Sequence, residues 1–116
     1  MQALQHLDSN HRYSKAVVHG NTVYLAGQVA NDPTADVSGQ TEQVLAQIDA
    51  MLAECGTSKA RILSALVLLK NINDLEAVNR IWDAWVPKEA PPARTPFEAQ
   101  MASPAYLVEI QVVAAI

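Results

Sequence analysis

Ile62-Leu63-Ser64-Ala65-Leu66-Val67-Leu68-Leu69-Lys70 carries apolar side chains at odd and even positions alike. A strand sends successive side chains to opposite faces, so this run reads as a strand buried on both sides. The chain's own helices can cover one face. With 116 residues in all, the chain is long enough for one domain and one core, and the second face calls for another subunit. A sheet is therefore the expected centre of the fold, and an oligomer its expected setting.

On the N-terminal side, Ser58 to Arg61 reads as one helical turn. Before it, Val44, Leu45, Ile48, Met51, Leu52 and Cys55 recur at helical spacing and make one apolar stripe. Gly56 stands where a left-handed cap ends a helix, and Cys55 completes the stripe as a core residue rather than a nucleophile. Residues 28–40, with Asp32-Pro33 and Ser38-Gly39, read as a loop. Further back, Ser14 to Val18 and Thr22 to Ala26 read as a hairpin around His19-Gly20-Asn21, where Gly and Asn both tolerate positive φ. Gly27 follows directly, permitting an unusual backbone angle or the close approach of a ligand. Residues up to about Asn10 are polar and mixed and are expected to be partly loose.

On the C-terminal side, Asn73 with Glu76 three residues later resembles a capping box. A second helix then carries Leu75, Val78, Ile81, Trp82 and Trp85 on one side. The two tryptophans are neighbours on that side, and core packing is favoured over a ligand cage. Pro87 ends the helix. A strand from about Arg94 to Ala102, a turn at Ser103-Pro104-Ala105 and a final strand from Tyr106 to Ala114 complete the chain. Alternation puts Val108, Ile110, Val112 and Ala114 on one face of the last strand, with Leu107, Glu109, Gln111 and Val113 on the other. The predicted order is ββα-β-α-ββ, an α+β sheet with both helices on one side.

Several function classes lose support. The net charge of −4, with basic residues scattered singly, offers no nucleic-acid surface. A single cysteine gives neither a disulfide framework nor a thiolate metal site. His6, His11 and His19 lack ligand spacing. The 4 glycines form no phosphate loop, and Ser14 and Thr95 have no histidine partner legible in sequence. No apolar run spans a bilayer and the first residues lack a signal-peptide core, so a cytoplasmic protein without membrane partners is expected.

What remains is Ala90-Pro91-Pro92-Ala93-Arg94-Thr95-Pro96-Phe97-Glu98. Its prolines make a stiff arm that fixes one arginine, and a guanidinium matches a carboxylate fork to fork. Glu109 is the one acid in the apolar final strand. Two adjoining strands would bring the pair together to bind an acid substrate and move a proton. The alternative is a solvated Arg94 paired with Glu98.

With these residues in view, the chain resembles the RidA/YjgF family of reactive-intermediate deaminases over about Tyr13 to Ala114, as a divergent branch. The resemblance rests on Tyr13-Ser14-Lys15-Ala16, Asn21-Thr22-Val23-Tyr24, Ala26-Gly27-Gln28, Glu42-Gln43, Leu69-Lys70 with Asn73-Asp74, and Val78-Asn79. Its most specific part is Pro92-Ala93-Arg94 followed by Val108-Glu109-Ile110. It implies a single domain over residues 1–116 with a chorismate-mutase-like (ferredoxin-like) sheet. It also implies a homotrimer around a central β-barrel with three inter-subunit clefts. The implied activity is hydrolysis of 2-imino acids such as 2-iminopropanoate to 2-keto acids and ammonia, without cofactor or metal. Arg94 would grip the substrate carboxylate, Glu109 would orient or activate water, and Tyr13 would line the cleft. Gly27 would lend backbone groups, and Asn79 and Thr95 would belong to the substrate-binding set. Two positions depart from the family pattern. Pro96 stands where the archetype has a cysteine whose N–H helps hold the ligand, and His11-Arg12 replaces the Gly-Pro before the tyrosine. Arg12 would then add a second cation, and loss of the donor at Pro96 raises the alternative of a carboxylate-binding or regulatory trimer without turnover.

Overall fold

The computed structural model describes residues 3–116. Six strands form one sheet: β1 (Leu4–Leu7), β2 (Ala16–His19), β3 (Thr22–Leu25), β4 (Ile62–Leu69), β5 (Ala93–Glu98) and β6 (Val108–Ala115). Two helices, α1 (Val37–Glu54) and α2 (Leu75–Trp85), accompany them. The spatial order is β1-β2-β3-β6-β4-β5, antiparallel throughout except for the parallel β4–β5 pair. The α+β class and the two helices on one face are as the patterning predicts.

β4 shows how the sheet divides its residues. Ile62, Ala65, Val67 and Leu69 are buried, together with Val78 and Trp82 of α2 and Val44, Leu45, Ile48 and Leu52 of α1. On the other face Leu63 is 51% exposed and Leu66 42%. The second apolar face of β4 thus lies open in a single chain. On β6, Val108, Ile110, Val112 and Ala114 are fully buried, while Glu109, Gln111 and Val113 face the uncovered side, as the alternation predicts.

Local chemistry explains where α1 begins and ends. Asp36 accepts from the Gly39 N–H at 2.8 Å, so the helix starts at Val37 inside the segment read as loop. At its end Gly56 takes φ 78°, the Gly56 N–H reaches the Ala53 carbonyl at 3.1 Å and the Thr57 N–H reaches Leu52 at 2.9 Å. That pair of bonds is a Schellman cap. In the β2–β3 turn only Gly20 has positive φ, at 61°.

Three further readings are corrected. Within the segment expected to be partly loose, Leu4–Leu7 form edge strand β1, paired antiparallel with β2 from Leu4↔His19 to Leu7↔Ala16; residues 1 and 2 of that segment lie outside the described residues. Its backbone pairing outweighs its polar composition. The capping-box reading also fails. Asn71, not Asn73, accepts from a backbone N–H at 2.9 Å and caps a short 3₁₀ turn over Ile72–Asp74, and α2 starts without a side-chain cap. Finally, β5 stops at Glu98, short of Ala102, as the Ala99 N–H makes a last bond to the Leu69 carbonyl at 2.9 Å.

Gln40 ties the approach to α1 to the entry of β6. It is fully buried, donates to the Pro33, Ala35 and Ala105 carbonyls at 3.0–3.1 Å and accepts from the Leu107 N–H at 3.0 Å. These bonds satisfy backbone groups on the approach to α1 and at the entry to β6 that would otherwise be buried unpaired.

Candidate active site

The predicted site residues fall into two groups. In the first, β3 runs beside β6 in regular register as far as Tyr24↔Val113, and pairing resumes at Gln28↔Ile110. The N-terminal side therefore gains one residue, a bulge around Ala26-Gly27. The Gln28 N–H donates to the Ile110 carbonyl at 2.8 Å and the Ile110 N–H returns to Gln28 at 3.1 Å, which locks the bulge in place. Gln111 Nε2 donates to the Leu25 carbonyl at 2.9 Å and satisfies a group beside it. Gly27 then lies directly against Glu109: a Cβ built on it would overlap the Glu109 carboxylate. The glycine makes room for this chain's own acid, and its φ is not positive.

Tyr13 is 52% exposed and shares with Gly27 a recess whose lining does not include Glu109. Asn10 positions the tyrosine: its Oδ1 accepts from the Arg12 N–H at 2.7 Å and the Tyr13 N–H at 3.0 Å, an Asx turn. The recess, of about 370 Å³, is also lined by Lys15, Gln28, Gln47 and Glu54. Lys15, not Arg12, is the cation of this recess, since Arg12 is absent from its lining and lies near His11 Nε2 at 3.5 Å. The Gln47 Oε1 is buried without a partner.

The second group lies across the sheet. Arg94 pairs in register with buried Ala65, so it faces the helices. Its Nη2 donates to Asn79 Oδ1 on α2 at 2.8 Å, and its Cζ lies 5.1 Å from the centre of the Trp82 ring. Arg94 Nη1 is buried without an acceptor. The pairing with Glu98 does not form: Arg94 donates to Asn79, and Glu98 accepts from the Ile72 N–H at 3.0 Å. Thr95, the next residue, is exposed on the opposite face, in register with Leu66. Pro96 sits on edge strand β5, where a missing N–H costs the sheet nothing.

One expectation about the pair is overturned. β5 and β6 do not adjoin, since β4 runs between them. Arg94 points to the helix face and Glu109 to the uncovered face, so a single chain cannot present both to one ligand. Sequence could not reveal this, because a hydrogen-bonding order among strands is not local.

Other polar clusters are weaker candidates. A larger recess of about 610 Å³ is lined by Lys70, Glu98, Gln100, Met101 and Ser103 among others. Its charged groups are already engaged, Lys70 Nζ by the Pro104 carbonyl at 2.8 Å and Glu98 by Ile72. Ser14, read as lacking a histidine partner, has one: its Oγ lies 3.1 Å from His6 Nδ1 and 2.7 Å from Ser9 Oγ. Strand β1 supplies that histidine, which is why it was missed. Among the described residues no group of His, Cys, Asp and Glu could hold a metal, and no helix is long and apolar enough to cross a membrane.

The chain matches the family model described as Endoribonuclease L-PSP over residues 3–116. It is 45% identical over 111 residues to a RutC family protein of Haemophilus ducreyi, covering 95% of this chain and 94% of that one. An uncharacterised protein from Pseudomonas aeruginosa superposes with TM-score 0.95 at 37% identity, covering 97% and 98% of the two chains. A member of the YjgF protein family from Neisseria meningitidis does so with TM-score 0.93 at 38% identity, covering 98% and 95%.

Proposed function

Because the chain belongs to the endoribonuclease L-PSP family, the RidA/YjgF group, we propose that it hydrolyses small 2-imino acids to 2-keto acids and ammonia. The site is a cleft between copies of the chain in a homotrimer. Arg94 of one subunit grips the substrate carboxylate, and Tyr13, Gly27 and Glu109 of its neighbour complete the pocket. The observation that carries this reading is the split itself: the cation and the acid occupy opposite faces of one sheet, and one of those faces is apolar and uncovered. A second copy both covers that face and supplies the missing partner.

The chemistry needs little else. A protonated imine is already electrophilic at C2. Glu109 takes a proton from water as its oxygen bonds to C2, giving a carbinolamine. Glu109 then passes its proton to nitrogen, and the C–N bond breaks with its electrons leaving on ammonia while the hydroxyl proton returns to Glu109 and C2–O becomes a carbonyl. General base catalysis of this kind contributes about 10²–10⁴ in rate. Asn79 holds Arg94 through Oδ1, while the Thr95 side chain, on the opposite face, takes no part beside it.

A second reading keeps the cleft but not the turnover: a binding or regulatory trimer for small carboxylates. Pro96 motivates it, because it has no N–H to offer a ligand. The family's description speaks of an endoribonuclease, but a net charge of −4 gives phosphates little to neutralise.

To test the first reading, an amino-acid oxidase generates 2-iminopropanoate in place and semicarbazide traps what remains. Acceleration that disappears in both Arg94→Ala and Glu109→Ala supports the deaminase. An assembled trimer without acceleration, but with Arg94-dependent binding of pyruvate, favours the second reading. Light scattering that gives a stable monomer removes the shared cleft from both.

A further inference from the structure

We propose that Trp82 is a positioning residue for Arg94, its indole face fixing the plane in which the guanidinium meets a ligand carboxylate. This deepens the deaminase reading and rests on it. The argument starts from how little else holds the cation. Nη2 makes one hydrogen bond, to Asn79 at 2.8 Å, and Nη1 is buried with no acceptor. Hydrogen bonding alone therefore does not set the plane of the group. The Trp82 ring, 5.1 Å from Cζ, supplies the missing restraint, and its electron-rich face meets the positive charge.

The ring is itself immobile. Trp82 is only 5% exposed and tilts at 51° against Trp85, centroids 5.3 Å apart. Trp85 is tied to the other helix, since its Nε1 donates to Asp49 Oδ2 at 2.9 Å, and Lys59 Nζ lies 5.1 Å over its ring. A continuous path of contacts therefore runs from Asp49 on α1 through both indoles to Arg94 on edge strand β5. Asn79 stands three residues before Trp82, on the same side of α2. One helix face thus provides both the hydrogen bond and the aromatic floor. An aliphatic residue at 82 would keep the position apolar but would offer the guanidinium no charge-complementary plane.

The test compares wild type, Trp82→Phe, Trp82→Leu and Arg94→Ala, each verified for assembly and melting temperature. Pyruvate binding is measured by titration calorimetry, and KM and kcat with trapped 2-iminopropanoate. Trp82→Leu is expected to weaken pyruvate binding and raise KM roughly 5- to 30-fold, the range of a desolvated cation–π contact, while kcat changes less. Trp82→Phe, keeping an aromatic face, falls between. Wild-type KM and pyruvate affinity in folded Trp82 variants, with Arg94→Ala inactive, overturn the inference and leave the deaminase reading intact. Wild-type binding and turnover in Arg94→Ala instead remove the reading beneath it. Should Trp82→Leu melt far below wild type, Trp82→Phe decides alone: unchanged KM overturns the inference and a raised KM at unchanged melting temperature supports it.

Discussion

Gly27→Ala separates the fold from the chemistry. A Cβ at this position would lie 3.0 Å from Glu109 Cδ and 3.3 Å from Cγ and would overlap Oε2. Non-bonded carbons settle at about 3.5–4.0 Å, so the carboxylate must swing aside by about 1 Å. The atoms in the way end a flexible side chain on the uncovered face, and Gly27 has no positive φ to forbid alanine. The fold therefore loses little, about 0.5 kcal/mol or less, and Tm should move by only a few degrees. A reacting group misplaced by about 1 Å can cost about 100-fold in rate. The trapped-imine assay should accordingly give kcat down by about 100-fold with KM nearly unchanged, since Arg94 is not touched. Glu109→Asp shortens the acid by one methylene, so adding Gly27→Ala to it should lower Tm no further. If Gly27→Ala turns over within about threefold of wild type, well short of that loss, while Glu109→Ala is inactive, the close fit of glycine to acid does not set the carboxylate's position, and the reasoning fails.

Gln40→Leu should destabilise by about 3 kcal/mol or more in urea denaturation, because it strands several buried backbone groups, each worth about 1–3 kcal/mol. A loss below about 1 kcal/mol would mean that water replaces the amide. Asp32 is held below its ordinary pKa of 3.8 by the Thr34 hydroxyl and N–H. Its stabilisation is therefore present above that ordinary value and lost as pH falls through the lower folded value. Asp32→Asn should flatten that acid limb in a series of melting curves, and an unchanged limb would refute the assignment. Cys55 is pushed up by burial and by neighbouring Glu54. It should react with a disulfide reagent at pH 8 more slowly than free cysteine and at the free rate in urea, and Cys55→Ser should retain full turnover.

Patterns repeated within one element were legible in the chain. The stripe from Val44 to Cys55, the Gly56 cap and the alternation of Val108 to Ala114 need only a helix or strand period to be seen. Contacts set by distant partners were not. Leu4–Leu7 becomes a strand because Ala16–His19 offers it an edge. Asn10 reveals its role only once Tyr13 turns back on it. The bulge at Gly27 exists only relative to Ile110. The residue types at the candidate site were readable, but the side of the sheet each one takes was not, because that depends on β4 lying between Arg94 and Glu109.

That separation bears on assembly as much as on chemistry. On the proposed reading, each chain lends its cation to one neighbour and its acid to the other. Defects in the two groups are then complementary rather than equivalent. Chains carrying Arg94→Ala and chains carrying Glu109→Ala, each inert alone, would rebuild whole sites when co-assembled, in about one quarter of positions for random mixing in a closed ring. Two inactive variants would thus restore together a turnover that neither shows alone.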